Sequence, residues 1–422
     1  MLLLRTRWLV FILVVLGLNL GVWRVVRSDL EHQALQGRLG TKVELAGQVI
    51  DDPALSDAGY VTFSLGNIQL DGRPVPGIVR VTGPNFKLQR GYRVKANGKL
   101  QPTVGSAEGS LFSVVEVVSN EQSRLERLRQ RFIVGMRNSL PSPLSDFGLG
   151  LLLGSRSLLP KSLQDQLAAV GLSHLVAVSG YNLTILVNFA YRPLRRVSKF
   201  WAASVTGWLI TAFLLVSGFS ASIVRAAIVA GLSLFTAYYG RKPHPLALIA
   251  ISAAATTAWR PEWLWSDLGW QLSFLAFIGI LVVAPALQAR FLTKSAWSGL
   301  LAESLSAQLL TMPLIALRFS QIPLVGPVAN LLILPLVPLM MLLSLLAGLA
   351  GLLLPLYAGW ISWPASLLLA TALELVDWLA RLPGAVWAVV LSPLTTTLLY
   401  LVGALAVWLM SKRVAGRDEA TV

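Results

Sequence analysis

Long apolar stretches separated by short polar or basic segments make up most of the chain after Ser145. Such stretches suit transmembrane helices, because about 20 apolar residues cross a hydrocarbon core of about 30 Å. The pattern predicts an α-helical polytopic membrane domain over residues 141–412. Charged residues flank six of the expected spans and indicate the direction in which each crosses the membrane. These spans are Phe200–Ser217, Ala221–Tyr239, Leu246–Ala258, Leu268–Leu287, Gly299–Leu317 and Trp387–Met410.

The apolar stretch between Gln321 and Glu374 contains no charged residue. Prolines interrupt its first half, and a proline inside a helix kinks or breaks it. We therefore expect a kinked or re-entrant segment there. The charged residues that follow, up to Arg381, indicate that the helix before the last span lies at the membrane interface. The four prolines are Pro323, Pro327, Pro335 and Pro338.

The N-terminus is predicted to contain one further span. Arg5 and Arg7 precede an apolar run, and no small-residue cleavage site follows it. Residues 1–30 are therefore expected to form an uncleaved transmembrane anchor helix rather than a signal peptide. The positive-inside rule places both arginines, the basic segment 192–199 and a short tail at 413–422 in the cytoplasm. The segment that follows the anchor then lies outside the cytoplasmic membrane.

Residues 41–119 have a different pattern, in which short segments rich in β-forming residues are separated by turn signals. Five strands in so short a segment fit a small barrel, of which the OB-fold is a common type. We expect a small all-β, OB-fold-like extracytoplasmic domain inserted after the first transmembrane helix. Other small barrels and a plain five-stranded sheet fit the same pattern. The predicted strands are Lys42–Ile50, Tyr60–Leu70, Gly77–Thr82, Tyr92–Leu100 and Leu111–Val118.

Basic residues are concentrated in this β domain, and no acidic residue lies between Asp71 and Glu108. Basic side chains that follow a phosphate backbone, with aromatic rings that stack on bases, are typical of single-stranded DNA binding. The alternative is that the aromatic side chains fill the barrel and the charges keep the domain soluble. The candidate DNA-binding residues are Arg73, Arg80, Lys87, Arg90, Tyr92, Arg93 and Lys95. Further aromatic residues expected nearby are Tyr60, Phe63, Phe86 and Phe112.

Residues 120–140 are predicted to form a basic amphipathic helix. Its apolar stripe contains Leu125, Leu128, Phe132 and Met136, and most of its arginines avoid that stripe. We expect this helix to lie on the membrane surface. A coiled-coil or partner-binding helix is the alternative interpretation.

Polar residues interrupt an apolar helix in the segment from Leu151 to Asn188. A short amphipathic helix is predicted after Pro160, which suits a first helical turn. Gly171 can adopt the left-handed conformation that ends this helix. Polar groups at membrane depth face protein or a wet cavity. Broken helices of this kind form the binding sites of transport proteins. The polar residues beyond Leu172 are Ser173, His174, Ser179, Asn182, Thr184 and Asn188.

Two charged residues occur within or beside later spans. Arg225 lies inside an apolar helix, where a charge is costly and should face a partner or water. It could contact a phosphate group, or pair with Asp267 or Glu303. Asp267 could equally cap the helix that begins at Leu268, where the helix dipole favours an anion. Further polar residues that indicate a wet interior are Ser304, Ser306, Gln308, Thr311 and Asn330.

The amino-acid composition restricts the kinds of partner and of chemistry that are expected for this protein. The charged fraction of 13% is about half that of soluble domains, and the formal net charge is +15, which favours anionic partners. Cysteine is absent, so disulfides, thiol catalysis and cysteine-bound metals are excluded. Only three histidines are present, which argues against a histidine-rich metal centre. We expect no cofactor, no metal and no enzymatic activity.

The segment GLSHLVAVSGYNLTILV resembles the signature of the ComEC family, the membrane channel of bacterial DNA uptake in natural transformation. LLLGSRSLLPKSL, SIVRAAIVAG and DLGWQLSFLAFIGI resemble further segments of that family in the same order, from about Ser145 to Met340. The resemblance implies a channel that passes one strand of transforming DNA across the cytoplasmic membrane. It also implies a DNA path through Ser173, His174, Ser179, Asn182, Arg225, Asp267 and Gln271.

The chain departs from this family in two respects. Many members have Ser-Gly-Leu-His where this chain has Ser179, Gly180, Tyr181 and Asn182, and asparagine cannot titrate. Many members also carry a C-terminal metallo-β-lactamase-like nuclease domain, which this sequence lacks. We therefore expect a separate nuclease to degrade the other strand. The expected partners are single-stranded DNA, the lipid bilayer, a DNA receptor and a cytosolic helicase-type motor.

Two other functions fit parts of the sequence. The broken helix is also compatible with a secondary transporter for a small anion. Ser179, with His174 or His244 as base, would be the nucleophile of an intramembrane serine hydrolase. His174 lies five residues before Ser179, however, which is a poor spacing for one helical face.

Overall fold

The computed structural model describes Leu35, residues 37–403 and Leu405, except for 56–58, 71, 76, 85–87, 104–106, 108, 121, 178–179, 242–243 and 292–294. The predicted anchor at 1–30 and tail at 413–422 lie outside the described residues. The chain divides into two compact units. The first contains Met1–Lys161, Leu175–Leu268 and Met341–Leu367, and the second contains Ser162–His174, Gly269–Met340 and Leu368–Val422.

A small β-barrel-like domain forms the N-terminal part of the first unit. Five of its strands close a ring in which β1 pairs with β3, β3 with β5, β5 with β7, β7 with β6, and β6 with β1. The β5–β7 pair is parallel, and the other ring pairs are antiparallel. The strands are β1 (Lys42–Val49), β2 (Ala54–Leu55), β3 (Tyr60–Leu70), β4 (Arg73–Val75), β5 (Val79–Pro84), β6 (Arg93–Gln101), β7 (Gly109–Phe112) and β8 (Val114–Ser119).

Alternating residues of these strands fill the interior of the barrel. Phe63 pairs with Val81, and Val81 pairs in turn with Leu111, so that the three side chains lie in one layer of the core. Leu45 and Leu100 are fully buried in the same cluster. The alternating pattern of the sequence therefore predicted the positions of the ring strands, but the predicted strand Leu111–Val118 is divided into β7 and β8.

The rest of the chain is mostly helical. One further pair of strands, β9 (Gln321–Pro323) and β10 (Val386–Ala388), is antiparallel. The helices are α1 (Arg124–Ser139), α2 (Leu144–Leu153), α3 (Lys161–Ala169), α4 (Ser173–Val176), α5 (Gly180–Arg195), α6 (Lys199–Ser217), α7 (Ala221–Tyr238), α8 (Pro245–Trp259), α9 (Trp263–Ser266), α10 (Leu268–Ile278), α11 (Ala284–Phe291), α12 (Ala296–Phe319), α13 (Gly326–Ile333), α14 (Val337–Leu353), α15 (Ala358–Ala380) and α16 (Pro393–Gly403).

Six helical segments of the described residues are long and apolar enough to cross a membrane. The prediction of a polytopic helical protein is therefore supported by length and composition. Helix α8, at 15 residues, is shorter, as the sequence suggested. The six segments are Lys199–Ser217, Ala221–Tyr238, Leu268–Ala289, Trp297–Phe319, Gly326–Leu353 and Ala358–Ala380.

The C-terminal helices differ from the prediction in two places. Helix α15 has 23 residues and qualifies as a span, although its last turns carry the charges that suggested an interfacial helix. Trp387 lies in β10, paired with Ile322, and not in the last span. That helix starts later because Ser392 caps it: its hydroxyl oxygen accepts a 3.2 Å hydrogen bond from the Thr395 amide.

The part of the charge-free segment from Gly326 to Leu353 is a helical segment with one interruption, which agrees with the predicted kink. Pro327 lies in the first turn of α13, where its missing N–H costs nothing. A 3₁₀ turn at Leu334–Leu336, which contains Pro335, separates α13 from α14. The proline accounts for this break, since it cannot donate the hydrogen bond that a continuous helix requires.

Helix α1 buries the C-terminal end of the predicted stripe, where Met136 is fully buried, but not the whole stripe. Leu128 is exposed, whereas Glu126, Arg129 and Ile133 are buried. The second half of α1 packs closely on α14, where a Cβ added to Gly351 would collide with the carbonyl oxygen of Gly135. Its location at the membrane surface stays a prediction.

Candidate functional site

The predicted break in the polar helix is present. Helix α3 buries Leu163 and Leu167 and is followed by Gly171 at a φ of 74°, the left-handed value expected there. After it, α4 is a single turn that ends at Val176, and α5 begins at Gly180. Ser179 lies between them, outside the described residues. The sequence therefore located the interruption correctly.

Asn182 is fully buried in the first turn of α5. Its side-chain amide donates a 3.0 Å hydrogen bond to the carbonyl oxygen of Leu151 and a 3.4 Å bond to that of Leu175. Both carbonyls belong to helices that end within a few residues, so their oxygens lack regular helical partners. Asn182 thus connects the end of α2, the short helix α4 and the start of α5.

Arg225 is the second buried polar group at this helix start. It lies in the first two turns of α7 and is 3% exposed. A Cβ added to Gly180 would lie 3.2 Å from the Nη2 atom of Arg225, so the guanidinium contacts the first residue of α5. A cation at the positive end of a helix dipole is unfavourable by itself. An anion at this position would be attracted both to the guanidinium and to the start of α5. The adjoining apolar contacts join Leu183, Ile210 and Ala226 of α5, α6 and α7.

The remaining predicted path residues are distributed over both units. Asp267 follows α9 directly in the first unit, and Gln271 lies on α10 in the second. Ser173 and His174 form the first turn of α4, also in the second unit. The Nδ1 atom of His174 lies 3.1 Å from the carbonyl oxygen of Gly171. The structure therefore brings Asn182 and Arg225 to one helix start.

Some polar residues of the later helices are hydrogen-bonded within the second unit, whereas the Ser306 hydroxyl and the Asn330 side-chain carbonyl oxygen are buried without a hydrogen-bond partner among the described residues. The Asn330 amide donates a 2.9 Å hydrogen bond to the Ser304 hydroxyl, which joins α13 to α12. The Gln308 amide donates a 2.7 Å bond to the carbonyl oxygen of Pro323. Such bonds hold membrane helices together, so these residues have a structural role here.

The barrel places the basic candidates in different environments. Arg73, Arg80 and Arg93 are exposed. Lys95 is about half exposed and lies 3.7 Å from Glu44. Tyr92 packs against the barrel core, which agrees with the alternative that aromatic side chains fill the barrel. Lys87 lies outside the described residues.

An aromatic pair lies on the outer face of the barrel. The rings of Tyr60 and Phe112 meet edge to face with centroids 5.5 Å apart, and they are 41% and 61% exposed. The register places Phe112 opposite Thr82 and Arg80 opposite Ser64, on the same outer face. Phe63, by contrast, fills the core. The sequence did not separate these roles, because alternation along one strand does not show which face its neighbours cover.

The sequence also missed a cluster of buried charges where the barrel meets α1. Arg129 donates to both carboxylate oxygens of Asp52, to Glu126 at 3.2 Å and to the Ser155 hydroxyl at 2.7 Å. Burial by itself raises the pKa of Asp52 and lowers that of Arg129, but the hydrogen bonds between them outweigh burial. The pKa of Asp52 is therefore lowered and that of Arg129 raised, and both groups stay charged.

Six apolar helical segments of spanning length and a β-barrel-like domain define the class of multi-pass membrane protein to which the chain conforms. Residues 151–414 match the family model described as Competence protein. The chain therefore belongs to the competence protein family. It is also 23% identical, over 218 residues and 51% of its length, to ComE operon protein 3 of Bacillus subtilis (strain 168). The match covers 28% of that relative, so the chain spans about a quarter of it. No solved structure matches the chain.

Proposed function

We propose that this protein takes part in DNA uptake and conducts single-stranded DNA across the cytoplasmic membrane. Membership of the competence protein family, over residues 151–414, is the observation that carries the proposal. Its membrane helices hold a buried arginine at a helix start, and its barrel presents basic and aromatic side chains together. These are the groups that a polyanion with stacked bases would contact.

The order of strands in the barrel supports an OB-fold. Of the five ring strands, counted along the chain, the first, second and third are adjacent, and the fifth lies between the third and the fourth. An OB-fold is a five-stranded Greek-key barrel that binds oligonucleotides on its second and third strands. Here those strands are β3 and β5, which carry Tyr60 and Arg80 on the outer face. We infer that this face receives single-stranded DNA.

The position of the barrel supports an extracytoplasmic location. The Nη1 group of Arg90 donates a 3.4 Å hydrogen bond to the carbonyl oxygen of Val216, so the barrel lies beside the C-terminal end of α6. Basic residues gather at the other end of α6, which the positive-inside rule assigns to the cytoplasm. The proposal therefore places the barrel outside and the C-terminus inside. Those basic residues are Arg192, Arg195, Arg196 and Lys199.

Within the membrane, the start of α5 is the proposed point of phosphate contact. Arg225 lies against Gly180, and the first N–H groups of a helix also favour an anion. A phosphate that passed this point would meet both the guanidinium and the N–H groups of the helix start. Asn182 would stabilise the break between α4 and α5, because its side-chain amide bonds to carbonyl oxygens at the ends of two helices.

The proposal includes neither catalysis nor a resident cofactor. The sequence contains no phosphate-binding loop of the form GxxxxGK[ST], so directional movement requires a separate cytosolic motor. A DNA receptor would deliver the substrate, and a separate nuclease would degrade the strand that stays outside.

Deletion of the gene tests this function. Uptake of fluorescently labelled DNA into the cytoplasm should stop in an otherwise competent cell, while binding of DNA at the cell surface should persist. A plasmid that carries the full chain should restore uptake. Normal uptake in the deletion strain would rule out the proposal.

A secondary transporter for a small anion is the second candidate, because one arginine at one helix start is a sufficient site for a single anion. Purified protein in liposomes distinguishes the two functions. Flux of a small anion that single-stranded DNA does not inhibit would favour the transporter, whereas inhibition by DNA would favour the DNA path.

A further inference from the structure

Arg90 differs from the other basic residues of the barrel surface. Its side chain is 19% exposed, and its Nε atom lies 3.7 Å from a carboxylate oxygen of Glu126 on α1. Its Nη1 group donates to the carbonyl oxygen of Val216 at the end of α6. A Cβ added to Gly218 would lie 3.2 Å from its Nη2 atom. Arg90 is thus held between two helices, which leaves little of its guanidinium for a phosphate.

A second arginine makes the reciprocal contact from the helical side. Arg129 of α1 has a side chain that is 1% exposed, and its partner Asp52 is 7% exposed. The two groups form a bidentate pair, which fixes orientation as well as distance. Removing Arg129 would leave the buried Asp52 without its bidentate partner, whereas removing Asp52 would leave Arg129 with Glu126 and the Ser155 hydroxyl.

The two arginine contacts attach two different loops of the barrel to α1. Asp52 lies in the loop between β1 and β2, and Arg90 lies in the loop between β5 and β6. Gln122, just before α1, adds 3.0 Å hydrogen bonds to the Gln89 side chain and to the Arg90 carbonyl oxygen. One attachment would allow the barrel to rotate about it. Two attachments restrict rotation to the axis that joins them, and the contact of Arg90 with Val216 of α6 opposes rotation about that axis.

We propose that Asp52, Arg90, Glu126 and Arg129 form an ionic joint that holds the barrel in one orientation over the end of α6. Arg90 is then a positioning residue and not a DNA contact. The statement about DNA rests on the proposed function, while the statement about orientation stands on the contacts alone.

The joint has a direct consequence for the path into the membrane. The end of α6 leads through Gly218 to the start of α7, which carries Arg225. Because Arg90 binds the last turn of α6, the joint keeps the barrel at a fixed position relative to the connection between α6 and α7. Without it, DNA bound on the barrel would no longer be presented at a fixed position.

Distance measurement between two spin labels tests the orientation. The chain contains no cysteine, so labels can be attached at Asn97→Cys on the barrel and Val197→Cys after α5, both of which are exposed. The parent protein and the Arg80→Ala control, which loses an exposed charge, should each give one narrow distance distribution. Arg90→Ala and Asp52→Asn should broaden it. Unchanged narrow distributions in both variants would overturn the joint.

Binding of a labelled oligonucleotide to the full-length protein in nanodiscs tests the role of Arg90. Arg90→Ala should keep the salt dependence of the parent, whereas losing one phosphate contact lowers the slope by about 1, as expected for Arg80→Ala. DNA uptake by cells should nevertheless fall in Arg90→Ala. A lowered slope with an unchanged distance distribution would make Arg90 a DNA contact and refute the proposal. If the parent protein binds no DNA, the proposed function fails, and the spin-label distances still decide whether the joint exists.

Discussion

The side-chain amide of Asn182 donates a 3.0 Å hydrogen bond to the carbonyl oxygen of Leu151, at the end of a neighbouring helix. The same amide also reaches Leu175, so one neutral group serves two helix ends. This contact needs no titrating group. The asparagine is therefore well suited to stabilising the break between α4 and α5.

Replacement of Asn182 by aspartate should destabilise the protein. The carboxylate cannot donate to either carbonyl oxygen and would be buried beside two acceptors, at a cost of about 1–3 kcal/mol or more. Thermal unfolding of the purified protein should show a lower midpoint. Asn188→Asp is the matched control, because Asn188 is exposed on the same helix. Equal midpoints for the two variants would contradict the structural role.

Replacement of Arg225 by glutamine should strongly reduce DNA uptake without loss of protein from the membrane. The variant keeps hydrogen-bonding capacity but removes the charge that contacts the start of α5. Uptake of labelled DNA and immunoblots of the membrane fraction provide the measurement. Arg241→Gln, which alters an exposed arginine just after α7, should behave as the parent. Normal uptake in Arg225→Gln would remove this residue from the path.

Alanine at Tyr60 or Phe112 should weaken binding of single-stranded DNA. Stacking of a base on an aromatic ring contributes about 1–3 kcal/mol, and both rings are exposed on one face. Fluorescence anisotropy with an oligonucleotide measures the loss. Val114→Ala, which truncates an exposed apolar side chain on β8, is the control. Affinities that match the control would place the stacking surface elsewhere.

The barrel should stay attached to α1 at neutral pH and be released only in strong acid. Since the pKa of Asp52 is lower in the folded state, its contribution is complete above the unfolded value of about 3.9 and is lost as the pH falls through the folded value. Asp51 has the opposite shift, because burial raises its pKa, and it gains its proton first. The spin-label distance distribution should therefore broaden below the unfolded value, and release near neutral pH would argue against the pairing.

Alanine at Gly351 should disturb the crossing of α1 and α14. The added methyl group would collide with the carbonyl oxygen of Gly135, and such overpacking costs about 1–3 kcal/mol. The thermal midpoint should fall in Gly351→Ala. It should hold in Gly359→Ala, where nothing lies within 4 Å of the added Cβ. A midpoint unchanged at both positions would mean that the two helices separate easily.

Local patterns in the sequence predicted the elements well. Alternation located the strands of the barrel, and Gly171 marked the end of α3. The start of the last helix was wrong, because the cap formed by Ser392 and Thr395 competes with a long apolar run. Patterns of this kind depend on the environment of each segment by itself. They therefore predict the type and the boundaries of an element better than its contacts with distant residues.

The sequence did not predict which side chains that are distant along the chain contact each other. Arg129 looks like any solvated arginine of a basic helix, and only the fold brings Asp52, 77 residues away, against it. The exposed faces of Tyr60 and Phe112 likewise depend on how strands close into a ring. For the membrane residues, spacing predicted a polar helix break, but the partners of Asn182 come from two other helices.

The backbone contact between Gly135 and Gly351 bears on leakage. If the protein conducts DNA as proposed, the membrane must still hold its ion gradient, since a file of water between two helices would conduct protons. Two helices whose main chains touch leave no space for such a file. At this crossing, together with the ring of Phe132 packed against Gly348, the contact therefore keeps water out of the space between α1 and α14.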